Sequence, residues 1–434
     1  MKRITPTKAR LAAVALAALA AAAYAGRKVL RSPRTRSAAP AHTGPRVVAY
    51  YPGWSADAQE PYEATDIPGD LLTHVNYAFA NVDAASGQIA LGRPDLDVDR
   101  VYPDDRRGLG AFGGNFGQLV ALKARYPHLR TLISVGGWTW SGNFSDAVST
   151  GEKRQRLARS CAAFSSRYGF DGVDIDWEYP ASDGMQPGRP EDARNFTLML
   201  ADLRRELEAQ SARDRRPYEL TIAAPAGVAR LACIELEQIH AHLDFISLMT
   251  YDFAGAWSPA TGFNAPLYGT TDPDQPQDSV SLQANAHTAV QHCLDRGVPP
   301  DKLVLGVPFY GRAWRGVPEA HNGLHQPHQG EAQLTATWRA LRANALYGMP
   351  RFWHEQARVP WLYDAAQQVM VSYDDPDSVH LKAEYVRERS LGGVMFWQIA
   401  ADDADHTLLQ SLLEGLRGEQ GGTAAGGSPD GSGA

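Results

Sequence analysis

The ten residues Asp171–Pro180, reading DGVDIDWEYP, limit what this chain can become more than any other stretch. Asp174, Asp176 and Glu178 alternate with Ile175 and Trp177, and a strand sends alternate side chains to opposite faces. The three carboxylates therefore point one way, successive ones about 6–7 Å apart, while Val173, Ile175 and Trp177 point the other. Like charges in a row repel one another and lose water, so a fold tolerates them where the acids are used. Tyr179 and Pro180 stop the strand and leave Glu178 at its C-terminal mouth.

Three chemistries compete for such a row. A metal site needs hard oxygen ligands converging from several elements, and one strand with a tryptophan beside its last acid is a poor cage, so no metal is expected. A solvated charged face needs an exposed strand, whereas Val173, Ile175 and Trp177 read as buried against helices. Acid–base work needs a carboxylic acid whose proton is held by burial and neighbouring carboxylates, and the row supplies one. The third reading is preferred.

Around the row, short β-rich runs alternate with longer helical stretches, the pattern of βα units on a parallel sheet. The strands are expected at residues 46–51, 73–79, 131–135, 172–177, 219–224, 245–251, 303–309 and 393–397. Eight is the number that closes a (β/α)8 barrel. Helices are expected at about 152–167, 191–209, 279–296 and 378–389. Residues 315–373 are far longer than an ordinary βα loop of roughly 2–6 residues and carry their own aromatics. They read as a small α+β subdomain inserted between the seventh strand and the next helix. The barrel is thus expected over 45–314 and 374–417.

The ends read differently. Residues 1–25 combine Lys2, Arg3, Lys8 and Arg10 with an apolar run and Ala23-Tyr24-Ala25, as a secretory signal does. The run, about 14 residues, falls short of the ~20 that span a bilayer. Export with cleavage, to the periplasm or outside, is favoured over a retained anchor. Residues 26–44 read as a linker and 418–434 as a disordered tail. The net charge of −7 gives no electrostatic reason to bind nucleic acid or an anionic membrane and suits a neutral substrate. Cys161, Cys233 and Cys293 are too few and too widely spaced for a disulfide framework or metal cluster.

DGVDIDWEYP resembles the D-x-x-D-x-D-x-E signature of the chitinases of glycoside hydrolase family 18, with the W-E-Y-P ending of the bacterial and animal branch. The resemblance extends along the chain. Leu132-Ile133-Ser134-Val135-Gly136-Gly137-Trp138 is similar to the family's S-x-G-G strand, and Met249-Thr250-Tyr251-Asp252 to its M-x-Y-D strand. Residues 306–312 and 393–397 resemble its last two strands. It implies a TIM barrel with an inserted module and the hydrolysis of β-1,4 bonds between N-acetylglucosamine units, with no cofactor. Chitin or its oligosaccharides would be the partner, bound by a monomer with no obligatory protein partner. Rival readings are an endo-β-N-acetylglucosaminidase of N-glycans and a non-catalytic chitin-binding lectin.

Roles follow from the same resemblance. Glu178 would be the general acid and later the base. Asp176 would hold the acetamido N–H of the sugar, and Asp174 would share a proton with Asp176. Tyr251, expected at the end of the sixth strand, would donate to the acetamido oxygen. Trp397 would floor the sugar site, since an indole face suits the C–H face of a sugar. Asp252, Arg312, Trp138, Trp257 and Met249 complete the expected substrate contacts. Ser134, Gly136 and Gly137 read as packing residues, and Asp171 as structural. Gln398 is a departure, because relatives commonly carry an acid there.

Overall fold

Eight parallel strands pair in a closed ring. In this computed structural model, which describes residues 44–103, 112–272 and 282–418, they are β1 (Arg46–Pro52), β2 (His74–Val82), β4 (Arg130–Gly136), β5 (Gly172–Asp176), β6 (Glu219–Pro225), β7 (Phe245–Met249), β8 (Leu303–Pro308) and β13 (Gly393–Trp397). Each pairs with the next, and β13 returns to β1 to close the barrel. A two-residue strand, β3 (Ile89–Ala90), adds antiparallel to the end of β2. The proposed signal segment lies outside the described residues, as do most of the proposed linker and tail. Among the described residues no helix is long and apolar enough to cross a membrane.

Alternation along the strands produces two cores. Outward residues such as Val173, Ile175 and Trp177 join the large cluster between barrel and helices. Inward residues Val48, Tyr50, Ala78, Leu132, Phe245, Val304 and Met395 fill the barrel, with Phe79, Met249, Tyr251 and Trp397 packed against them. The helix Gly151–Tyr168 begins where the Thr150 side chain accepts from the Lys153 N–H and ends on Gly169 at φ 78°. The helix expected to end at residue 209 runs on to Asp214, because no glycine or proline interrupts it before Pro217. The one expected from residue 279 starts at Ala286, capped by Asn285, whose side chain accepts from Thr288; residues 279–281 lie outside the described set.

The sixth barrel strand is shorter than its sequence suggested. It ends at Met249, because Thr250 folds back: its N–H donates to the Leu248 carbonyl (2.8 Å) and its hydroxyl to the Gly306 carbonyl (2.6 Å). Tyr251 and Asp252 therefore stand on a turn above the barrel, Asp252 at φ 58°.

Within the expected insertion lies a second sheet of four antiparallel strands, in the order β10 (Arg351–His354), β11 (Val359–Asp364), β12 (Val369–Ser372) and β9 (Arg312–Arg315). It begins at Arg312, three residues earlier than the sequence boundary. Phe263, from the loop after β7, packs with Trp314 and Trp361 in the core beneath it. The chain then re-enters the barrel through the helix Pro376–Glu388. Here Lys382 Nζ donates to Asp374 Oδ1 at 2.5 Å, both side chains 1% exposed. Lys382→Met leaves the buried Asp374 charge with the Ser378 hydroxyl (2.7 Å) and no cation, which costs about 3–5 kcal/mol. Urea unfolding measures it; an unchanged midpoint would mean that the pair contributes nothing.

Candidate active site

The carboxylate row starts at the centre of the barrel and rises to its mouth. Asp174 is fully buried and held by three hydroxyls: Tyr50 (2.7 Å) and Ser134 (2.8 Å) donate to Oδ2, and Thr221 (2.6 Å) donates to Oδ1. Register explains the set, since Ser134 and Thr221 are the residues that face Asp174 on β4 and β6. Ser134 is thus more than the packing residue its sequence context suggested. Burial pushes the Asp174 carboxyl up, and the three donated hydrogen bonds pull it down without overcoming burial.

Asp176 stands one step higher, buried, with its Oδ1 lacking any hydrogen-bond partner. Burial first, then the Glu178 and Asp174 charges, hold it well above the carboxylate range. Gly136 makes the approach of β4 to this point feasible. Its φ is 110°, and a Cβ there would lie 2.2 Å from the Asp176 carbonyl oxygen.

Glu178 lies two residues beyond β5 and is half-buried. Its backbone N–H donates to Ser141 Oγ (2.8 Å), whose own hydroxyl donates to the Gly137 carbonyl (2.8 Å). The Glu178 carboxyl is pushed up to about 7: burial and the Asp252 charge raise it, outweighing a hydrogen bond from Tyr179 and the Arg230 charge. Such a group is protonated at or below neutrality and can both give and take a proton. The peptide bonds Ala78–Phe79, Glu178–Tyr179 and Trp397–Gln398 are cis, and all three lie at this end of the barrel. Asp171, by contrast, faces away and pairs with Lys123 (2.7 Å) and Arg216 (2.9 Å).

Across the mouth, Tyr251 points its hydroxyl at Met395 Sδ (3.9 Å) and packs edge-on against Tyr310. Burial and the nearby Asp176, Asp252 and Glu178 charges keep its hydroxyl protonated, hence a donor. Asp252 Oδ1 accepts from Tyr310 Oη (2.7 Å) and from two nitrogens of Arg312 (2.9 and 2.6 Å). Asn264 sets this turn by accepting the Asp252 N–H (3.0 Å) and donating to the Tyr310 carbonyl (3.1 Å).

Aromatic faces surround the acids. Trp397, half-buried, lies nearly parallel to Phe79 (5.7 Å, 14°) and beside Tyr50 and Trp54. Trp54, Trp138 and Trp257 are 43%, 46% and 61% exposed, unusual for so large an apolar ring unless something binds there. Trp257 is covered on one face by the Arg312 guanidinium (5.0 Å), and Trp138 meets the edge of Tyr179 (6.5 Å). Met249 packs at the top of the barrel interior. The residues expected to touch the sugar therefore gather at one end of the barrel, with Asp174 below them at its centre and Asp171 turned away. Tyr179, Ser141, Thr221 and Arg230 were missed. Thr221 had a signal, a polar residue in an apolar strand; Arg230 had none. Among the described residues no group of three or more His, Cys, Asp or Glu side chains could hold a metal ion.

The model of the glycosyl hydrolases family 18 matches residues 46–402. Chitinase A1 of Niallia circulans is 39% identical over 412 residues, covering 85% of this chain and 58% of its own, so this chain spans little more than half of that relative. Endochitinase 1 of Metarhizium robertsii is 35% identical over 372 residues, 83% of this chain and 82% of its own. Among solved structures, chitinase ChiA74 from Bacillus thuringiensis superposes with a TM-score of 0.81 at 36% identity, covering 86% of this chain and 70% of that one.

Proposed function

This chain belongs to family 18 of the glycosyl hydrolases, and from that premise we propose that it is a chitinase, cleaving β-1,4 bonds between N-acetylglucosamine units. The observation that carries the reading is Glu178, half-buried at the mouth with its proton held to about pH 7. Family 18 is one of the substrate-assisted exceptions to the two-carboxylate scheme. The sugar rests on Trp397 and its own acetamido oxygen attacks the anomeric carbon, while Glu178 protonates the leaving oxygen. Tyr251 donates to the acetamido oxygen and fixes it for attack. Asp176 passes the proton it shares to Asp174, accepts the acetamido N–H and, now charged, offsets the charge that develops on the ring. Glu178 then takes a proton from water, which opens the oxazolinium with the configuration retained.

The Asp174–Asp176 pair holds one proton between two carboxyls. Three hydroxyl donors favour the charged form of Asp174, so the proton resides on Asp176. The second sheet would wall one side of the groove, with Arg312 as its link to the site. Export is part of the same proposal and rests on the basic start and apolar run of residues 1–25.

The test is product release from chitin oligosaccharides and from a high-mannose N-glycoprotein. Shortened oligosaccharides with the β-anomer formed first are expected. Cleavage of the glycoprotein alone would transfer the chain to the N-glycan enzymes, and binding without cleavage would make it a lectin. A second prediction concerns pH. The acid must be protonated, so activity falls as pH rises through its pKa. Asp252 raises that value; Asp252→Asn removes its charge and leaves Arg312 unpaired, and both changes lower it. The basic limb of kcat/KM should move down by about one unit or less. An upward movement would remove Asp252 from the electrostatics of the acid.

A further inference from the structure

Beyond Glu178, on the opposite side of the barrel mouth from Trp397, stands a group of side chains that the reaction above does not use. The strand carrying the acid, β5, lies four strands round the ring from β13, which carries Trp397. Next to it, β6 leads through Gly227 into a single turn, Val228–Leu231. Arg230 on that turn is exposed, and its guanidinium lies 4.6 Å from the centre of the Tyr179 ring. Tyr179 hydrogen-bonds Glu178 and meets the edge of Trp138. Arg230, Tyr179 and Trp138 thus form a continuous face starting at the acid. Among the described residues Arg230 forms no ion pair with any carboxylate.

The glycosidic oxygen that Glu178 protonates joins the sugar on Trp397 to the leaving sugar. That leaving sugar must therefore lie past Glu178, over this face. The charges around it do not balance Arg230. Asp252 is committed to Arg312 and Tyr310, Asp176 is buried, and Glu178 is neutral in its active form. An unpaired cation beside a neutral sugar costs nothing, whereas beside an ammonium group it is a repulsive device that sets specificity.

We propose that Arg230 is a specificity-determining residue on the leaving-group side, admitting an N-acetylglucosamine unit next to the scissile bond and rejecting a cationic glucosamine unit. The inference rests on the chitinase reading. In partially deacetylated chitin, the unit released from this side becomes the new non-reducing end, so its identity records the choice.

The experiment digests partially deacetylated chitosan at mildly acidic pH, where the amines are charged and Glu178 is protonated, and sequences the new ends by mass spectrometry. Wild type should leave almost only acetylated new ends. Arg230→Met keeps an apolar stem over Tyr179 and removes the charge; it should raise glucosamine at new ends by roughly 3- to 30-fold, less at high salt. Arg230→Lys should retain the wild-type choice. Because the Arg230 charge also lowers the Glu178 pKa, the Met variant should move the basic limb up on fully acetylated hexamer. If Arg230→Met gives wild-type ends, or Arg230→Lys loses the choice as fully as Met, the proposal is overturned while the chitinase reading stands. If wild type leaves fully acetylated hexamer uncut, that reading falls and takes the proposal with it.

Discussion

Glu178→Gln should lower kcat on chitin oligosaccharides by about 10²–10⁴-fold and leave KM within a few fold of wild type. Gln has almost the shape of Glu, so the Ser141 hydroxyl that receives the residue 178 N–H is undisturbed. What disappears is the proton. In the proposed mechanism a carboxyl held at about pH 7 by burial and Asp252 gives its proton to the leaving oxygen and retrieves one from water; an amide does neither at any pH. The substrate's acetamido attack, its alignment by Tyr251 and the Trp397 floor remain, which is why a residue of activity persists and why binding survives. The pH dependence separates this account from a structural one: the basic limb expected of wild type should vanish along with the rate. A variant that kept more than a tenth of the wild-type kcat would show that another group supplies the proton.

The row of acids was legible because strand alternation is a strict rule: once DGVDIDWEYP is a strand, Asp174, Asp176 and Glu178 must share a face and Val173, Ile175 and Trp177 the other, and the burial pattern follows. The barrel was legible from another pattern, eight short β-rich runs separated by helical stretches. What alternation cannot give is which residues on neighbouring strands meet. The grip of Tyr50, Ser134 and Thr221 on Asp174 depends on the register of β1, β4, β5 and β6, which is set by closing the barrel. The turn at Thr250 was hidden because Phe-Ile-Ser-Leu-Met-Thr-Tyr is a good strand sequence throughout; only the Gly306 carbonyl across the ladder diverts it. Arg230, one surface arginine among many, acquires meaning only from the Tyr179 ring beneath it.

Asp176→Asn should lose about 10²–10³-fold in kcat, the scale expected when a preorganised group facing transition-state charge is removed, without a matching loss of stability. The two halves of this prediction come from one fact. Burial and the Glu178 and Asp174 charges hold Asp176 well above the carboxylate range, and the proposed mechanism places the shared proton on it at rest. Replacing a protonated carboxyl by an amide of the same size changes neither the charge nor the volume of the barrel interior. Its Oδ1 has no hydrogen-bond partner to lose. Thermal unfolding at neutral pH should therefore stay within a few degrees of wild type. In the proposed mechanism catalysis differs, because residue 176 must pass its proton to Asp174, accept the acetamido N–H and carry negative charge opposite the oxazolinium ring. An amide carries no such charge, and one of its two faces turns a donor toward a donor. Asp174→Asn is the contrast: three hydroxyls donate to that carboxylate, and at least one would then face an N–H, so both stability and rate should fall. If Asp176→Asn unfolds as early as Asp174→Asn, the proton does not reside on Asp176 in the resting protein, and the division of labour between the two acids is reversed.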